Sequence, residues 1–143
     1  MNKKIIFIPI IVIFVVVFAI ISSNEKNEGD DILFHVTLAD PNLYVNGTYS
    51  EILSIEKGEY SFRFVPNGSS PEILSITLNG DSIDFSEDYN LIGISHQTGI
   101  SEYFTWEYGG QKNILISETQ EISITINPNR NTMGSVSVYI IGN

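Results

Sequence analysis

The stretch Glu121-Ile122-Ser123-Ile124-Thr125-Ile126, followed by the turn Asn127-Pro128-Asn129, decides the fold class of this chain. Isoleucine alternates with a hydroxyl residue, so one face of an extended segment is apolar and the other is polar. This two-residue period is typical of a β-strand that buries one face. Proline and asparagine then end the strand, because they favour turns.

The same signature recurs from Ile32 to the C-terminal end. Alternating apolar positions are separated by short Gly, Pro or Asn segments, and no segment has a convincing helical period. Nine or ten short strands are predicted, drawn from eleven apolar candidate segments at Ile32–Leu38, Leu43–Val45, Ile52–Ile55, Tyr60–Phe64, Leu74–Leu78, Ile83–Phe85, Leu91–Ile94, Tyr103–Tyr108, Ile114–Ile116, Ile122–Ile126 and Val136–Ile140. Asn79-Gly80 is expected to be a hairpin turn. The pattern indicates an all-β, antiparallel sandwich of Greek-key or jelly-roll type, with a closed barrel as the less favoured alternative.

The N-terminal segment differs from the rest. Lys3 and Lys4 precede an apolar run from Ile5 to Ile21, which as a helix reaches about 25 Å, the short end of a bilayer span. We therefore expect residues 1–21 to be a signal anchor, one transmembrane helix that contacts lipid through residues 5–21. A cleaved signal peptide is the alternative, and it would leave the protein secreted. Residues 22–31 are acidic and predict a flexible stalk, with the β-domain at 32–143.

The distribution of charge predicts the compartment of the protein and helps to exclude some classes of function. The chain of 143 residues has 7 Lys and Arg, 17 Asp and Glu, and no cysteine, for a net charge of −10. Basic residues before the span and acidic ones after it predict a single-pass cell-membrane protein with a cytoplasmic N-terminus and an extracytoplasmic domain. Disulfides and Cys-ligated metals are excluded. No nucleic-acid partner is expected, because phosphate binding needs clustered Lys and Arg.

Two segments carry a family resemblance: Gly58-x-Tyr60-x-Phe62-x-Phe64 leading into Pro66-Asn67-Gly68, and Ile124-x-Ile126-x-Pro128 leading to Val136-x-Val138. They resemble small secreted jelly-roll sandwiches, including GOLD-type domains. The chain is also similar to uncharacterised, N-terminally anchored β-domain proteins of archaeal type. The resemblance implies a jelly-roll fold. A GOLD-type cargo-sorting role is not implied, because here the span precedes the domain and no coiled coil follows.

An aromatic stripe is the first candidate ligand site. Phe104, Trp106 and Tyr108 fall on one face of a predicted strand, and Tyr103, Thr105 and Glu107 fall on the other. Aromatic rings beside a carboxylate and hydroxyls can bind the apolar face of a sugar. The competing and favoured interpretation is that the three rings belong to the core.

An acidic stretch is the second candidate. Asp81, Asp84, Glu87 and Asp88, with Asn79, offer oxygen ligands of the kind calcium requires. The spacing is not that of an EF-hand, and a solvated acidic hairpin is the favoured alternative. No other cofactor is expected.

The remaining motifs are short. Asn46-Gly47-Thr48 and Asn67-Gly68-Ser69 are N-glycosylation sequons in predicted turns. Ser95 and His96 are adjacent, which on a strand places them on opposite faces, so no catalytic pair is expected. His35 is expected to face solvent.

From sequence, the chain is thus expected not to be an enzyme. We expect a non-catalytic protein-interaction module or an accessory subunit of a membrane or envelope complex. The alternative is a glycan-binding or adhesive surface domain.

Overall fold

The structure is a computed structural model that describes residues 31–143. These residues form nine strands and one short 3₁₀ turn at Pro41–Leu43. The strands are β1 (Asp31–Leu38), β2 (Tyr49–Ile55), β3 (Gly58–Pro66), β4 (Ile73–Gly80), β5 (Asp84–Gln97), β6 (Glu102–Gly109), β7 (Asn113–Ile116), β8 (Gln120–Asn127) and β9 (Val136–Gly142).

The strands form two antiparallel sheets. One has four strands in the order β1-β9-β3-β7, and the other has five in the order β2-β8-β4-β5-β6. The expectation of an all-β, two-sheet antiparallel sandwich is confirmed. The chain passes from sheet to sheet at most connections, and it stays within one sheet only along β4-β5-β6.

The core lies between the sheets and is built from the apolar face of each strand. Ile122, Ile124 and Ile126 of β8 are buried, as their alternation predicts. Phe62 and Phe64 of β3 pack their rings against Tyr89 of β5, with ring centroids 5.6 and 4.7 Å apart. Burying one such side chain contributes about 1.5–3 kcal/mol, so these inward faces hold the sheets together.

Tyr89 is the one fully buried tyrosine among the described residues. Its hydroxyl donates to the carbonyl of Gln111, which connects β5 to the segment leading into β7. Burial raises its pKa well above the ordinary value, and the nearby Glu87 carboxylate adds to the shift. Gly110 comes so close that a Cβ there would lie 2.7 Å from the Tyr89 ring.

Three local expectations need correction. The sequence predicts Ile83–Phe85 and Leu91–Ile94 as separate strands, but a single strand, β5, contains Phe85 and all of Leu91–Ile94, and Ile83 lies outside it. Leu43–Val45 is not a strand, since Leu43 ends the 3₁₀ turn. Asp31, expected to belong to the stalk, is part of β1 and pairs with Gly142.

The two Asn-Gly dipeptides near hairpins behave differently. Asn79-Gly80 does precede a hairpin, but Gly80 is still in β4, and a Cβ there would meet the Gln120 side chain at 2.5 Å. A two-residue turn with positive φ at both positions forms instead at Asn46-Gly47, where φ is 52° and 83°. Val45 and Thr48 exchange backbone hydrogen bonds around it.

The anchor predicted at residues 1–21 and nearly all of the stalk lie outside the described residues. Within residues 31–143, no helix has the length and apolar character needed to cross a bilayer.

Candidate interaction site

A two-stranded ribbon at one end of the five-stranded sheet is the most unusual feature of the fold. Pairing of β4 with β5 ends at Ile73 and Asn90, whereas β6 pairs with β5 as far as Gln97 and Glu102. Among the described residues, β5 beyond Leu91 therefore has only β6 as a neighbouring strand. We call residues 92–107 the ribbon.

The ribbon exposes apolar side chains on both faces. On the face that continues the core, Phe104 is 46% exposed. On the opposite face Ile92 and Tyr103 are 54% and 52% exposed, and Ile94 lies between them. Ile100 at the tip is fully exposed. The ribbon therefore exposes apolar side chains on each of its two faces and at its tip.

The predicted aromatic stripe is divided between core and surface. Tyr108 is half-buried and meets the Phe64 ring edge-on at 5.0 Å. Trp106 is half-buried and packs against the core from its periphery. Phe104, with its ring centroid 6.3 Å from that of Trp106, lies in the exposed part. The favoured core interpretation thus applies in part to Tyr108 and Trp106, which are half-buried against the core, and is wrong for Phe104.

Gly93 explains how Trp106 is placed. A Cβ on Gly93 would lie 3.1, 3.1 and 3.4 Å from three atoms of the indole ring. Three nearly equal distances mean that the ring lies face-on over the glycine. The strand backbone thereby supports one face of the indole, and Gly93 is the residue that leaves room for it.

Polar contacts hold the two ribbon strands in register. Ser95 donates to the Glu102 carboxylate. On the opposite face the His96 ring stacks on Tyr103 with centroids 4.9 Å apart, and its Nε2 lies 2.7 Å from the Thr105 hydroxyl. Ser95 and His96 therefore face opposite sides and have different partners, as their adjacency on a strand predicts.

The free edge of β6 is rich in unused backbone groups. The Thr98 N–H donates to the Ser101 carbonyl at 2.8 Å, which sets the phase of the ladder. Because hydrogen-bonded pairs alternate, residues 103, 105 and 107 direct their backbone groups toward β5. Phe104, Trp106 and Tyr108 then direct their N–H and C=O groups outward. Within residues 31–143 no strand pairs with this side of β6.

The sequence interval that contains the ribbon carries only acidic formal charges. No Lys or Arg occurs between Arg63 and Lys112. The same interval contains Glu72, Asp81, Asp84, Glu87, Asp88, Glu102 and Glu107. Lys112 stands at the base of the ribbon, with Nζ 4.3 Å from the centroid of the Tyr108 ring.

The residues predicted to bind calcium do not converge. Asp81 lies in the turn before β5, and Asp84 and Asp88 are exposed on the outer face of that strand. Glu87 is half-buried and, by alternation, belongs to the other face. Asp88 accepts a hydrogen bond from Ser75. Across residues 31–143 no three acidic or histidine side chains group as metal ligands, so geometry gives the calcium hypothesis no support.

A cleft of about 690 Å³ lies between the base of the ribbon and the β3–β4 loop. The loop lines it through Gly68, Ser70 and Glu72, and the ribbon side through Gly93, Phe104 and Trp106, among others. The aromatic pair thus borders a concavity that also contains a hydroxyl and a carboxylate residue.

The two sequons differ in local geometry, although both asparagines are exposed. The Asn67 side-chain carbonyl accepts from the Ser69 N–H at 3.0 Å and from its hydroxyl at 2.8 Å. At the other sequon the Thr48 hydroxyl donates to the Val45 carbonyl at 3.3 Å. Glycosylation at Asn46 and Asn67 stays a prediction. His35 is exposed, as expected, and stacks on Tyr139 with centroids 4.2 Å apart.

The sequence interpretation missed most of the ribbon's apolar surface. It treated Leu91–Ile94 as an ordinary strand, did not single out Ile92, Ile94 or Ile100, and named Tyr103 only as facing away from the aromatic stripe. The signal was present, because Leu91 and Ile92 are adjacent and so place apolar groups on both faces.

No family model matches this chain, and neither a curated protein nor a solved structure shows significant similarity to it. The GOLD-type and archaeal-type resemblances stay predictions.

Proposed function

We propose that this protein is a non-catalytic interaction module that binds another protein through its β5–β6 ribbon. The observation that supports this most directly is the ribbon itself, a two-stranded extension with apolar side chains on both faces and an unpaired edge. The partner surface that it contacts is small, because the ribbon contributes two strand segments and one tip.

A two-stranded ribbon that nothing covers is energetically unfavourable in water for two reasons. Isolated two-stranded hairpins are marginally stable in water, and exposed apolar edge strands invite unwanted pairing. Proteins usually protect such an edge with a charge, a proline, a bulge or a covering segment. Along β6 only Glu102 and Glu107 are charged, and no proline occurs. A partner that covers the ribbon would remove the apolar surface from water and use the outward backbone groups of β6.

We further propose that the sandwich has jelly-roll topology. The strand pairs β1·β9, β2·β8, β3·β7 and β4·β5 are nested, as in one long hairpin rolled into two sheets. Strand β6 lies outside this nested set, as an addition at the end of the five-stranded sheet.

The proposed setting is the outer face of a cell membrane, with residues 5–21 as the tether and the acidic residues that follow as a stalk. This rests on the sequence pattern of basic, apolar and acidic segments. Tethering raises the local concentration of the ribbon near other membrane proteins, so a weak contact can be sufficient. The module would then be an accessory subunit of a membrane or envelope complex.

One observation favours a second candidate, glycan binding. The Trp106 indole is supported face-on by Gly93 and borders the cleft together with Phe104. A ring fixed on one side is suited to stacking against a pyranose. Retention of the full chain on an immobilised polysaccharide, lost in Trp106→Ala and kept in Tyr103→Ala, would establish this function, because Tyr103 lies on the opposite face.

The test of the proposed function is the native size of the full-length protein after mild detergent extraction from its own membrane. We expect a discrete complex larger than the monomer. The double variant Ile92→Ser/Phe104→Ser should release the chain from it. The matched control is Val65→Ser/Leu115→Ser, which removes two similarly exposed apolar side chains from the other sheet (Val65 is 52% exposed).

A lone monomer would overturn the interaction function. A complex that survives the ribbon variant but not the control would overturn the assignment to the ribbon.

A further inference from the structure

We infer that the free edge of β6 accepts an extended peptide strand that alternates basic with apolar side chains. This rests on the proposed function and deepens it, because it names the chemistry of the partner. Main-chain hydrogen bonds to a sheet edge give such complexes affinity, and alternate side chains give them specificity.

The backbone of β6 has unpaired hydrogen-bonding groups along its outer edge. Phe104, Trp106 and Tyr108 direct their N–H and C=O groups away from β5, as the phase of the ladder requires. These three residues offer a continuous row of donors and acceptors over two-thirds of the strand. An added strand would pair with this row as β5 pairs with the other side.

The side chains of β6 favour a partner strand in which apolar and basic residues alternate. A strand that continues the sheet shares its pleat, so its residues fall alternately on the two faces. On one face they would meet Phe104 and Trp106, which select apolar groups. On the other they would lie beside Tyr103, Thr105 and Glu107, where Glu107 is the charged group. Opposite charges across neighbouring strands attract, so a Lys or Arg is favoured there.

The wider charge pattern points the same way. Seven acids and no Lys or Arg lie between Arg63 and Lys112, an interval that contains β4, β5 and β6. Their combined field attracts a cationic segment and repels an acidic one. It also disfavours a second copy of this chain on the same edge, because each copy would bring its own acidic sheet and another Glu107.

The experiment uses the full chain in mild detergent and the fluorescence of Trp106, the single tryptophan. The probe is a synthetic peptide of alternating Lys and Val, long enough to cover β6. The first comparison peptide replaces Lys with Glu. The second keeps Lys but has N-methyl groups on alternate backbone amides, in both phases, so its charge is unchanged while its hydrogen bonds to an edge are blocked.

We expect the Lys-Val peptide to shift the Trp106 emission saturably, the Glu-Val peptide not to, and the N-methylated peptides to bind at least tenfold more weakly. Glu107→Gln should weaken binding by about two- to fivefold, the range of one cross-strand charge pair. Glu121→Gln, which removes an exposed carboxylate from β8 without touching the ribbon, should leave binding unchanged.

Equal binding of the Lys-Val and N-methylated peptides would mean diffuse charge attraction and would overturn strand addition. Equal binding of Lys-Val and Glu-Val peptides, or no binding of either, would overturn the basic partner. Both outcomes leave the native-complex test untouched, so failure of this inference is distinguishable from failure of the proposed function.

Discussion

Replacing Gly93 by alanine adds one methyl group at the point where the ribbon supports Trp106. In an ordinary strand this substitution stabilises, because glycine costs about 0.5–1 kcal/mol relative to alanine. Here the new Cβ would lie 3.1 Å from two indole carbons. Carbon atoms pack best at about 3.5–4.0 Å, so the ring has to move by a few tenths of an ångström.

The gain in stability from alanine and the cost of the close contact with the indole have opposite signs, and the cost of the contact is the larger. Overpacking a well-fitted site costs about 1–3 kcal/mol. After the ordinary gain from alanine is subtracted, we expect a net loss of about 1 kcal/mol and a melting temperature lower by ~4 °C. The displaced indole becomes more hydrated, so its emission should shift to longer wavelength.

Thermal unfolding followed by tryptophan fluorescence measures both quantities in one sample. Gly99→Ala is the matched control, because Gly99 lies at the tip of the same ribbon with nothing within 4 Å of the added Cβ. It should be neutral or slightly stabilising. If Gly93→Ala shows the emission and melting temperature of Gly99→Ala, then Gly93 does not support the Trp106 indole and the face-on contact is refuted.

Three further predictions follow from the core, the tyrosines and the first hairpin. Ile124→Ala, in the centre of β8, should lower the free energy of unfolding by about 2–5 kcal/mol in urea, whereas Ile52→Ala, 70% exposed on β2, should change it by under about 1 kcal/mol. Burial raises the pKa of Tyr89, and burial together with the Glu51 contact raises the pKa of Tyr49 to about 12, while both ionise near 10 when unfolded. The folded state then holds more protons, so melting temperatures should fall as the pH rises above about 10, and a flat profile there would contradict the burial of these hydroxyls. Gly47→Ala should destabilise by about 1 kcal/mol in the same urea titration, because its φ of 83° disfavours an L-residue, and no loss would show that the turn can rearrange.

The strands that bury one apolar face in the core could be predicted from the sequence alone. Ile122, Ile124 and Ile126 of β8, and Phe62 and Phe64 of β3, are core residues in the structure as their alternation predicts. Local alternation is sufficient there, because a strand in a two-sheet sandwich has one apolar side whatever its neighbours are.

The ribbon could not be read in this way, because its character depends on which strands are absent beside it. Phe104 has the same alternation as a core residue, but it pairs with Ser95, beyond the end of the β4 pairing, and is 46% exposed. The turn expected at Asn79-Gly80 does not form at those two residues for a similar reason. Asn79-Gly80 and Asn46-Gly47 have the same two residues, but the close Gln120 side chain gives Gly80 a packing role within the strand.

The position of β6 in the topology explains why a binding surface can be placed there without weakening the fold. The nested pairs β1·β9, β2·β8, β3·β7 and β4·β5 involve every strand except β6. The buried hydrophobic side chains of the core all come from those eight strands, and β6 contributes only half-buried rings at the periphery. Substitutions along the outer part of β6 should therefore alter partner binding while the sandwich stays folded, which separates the two properties in one chain. That separation is what a binding role for the ribbon requires, and it makes the ribbon variants informative, since their effects on a partner can be measured on a folded domain.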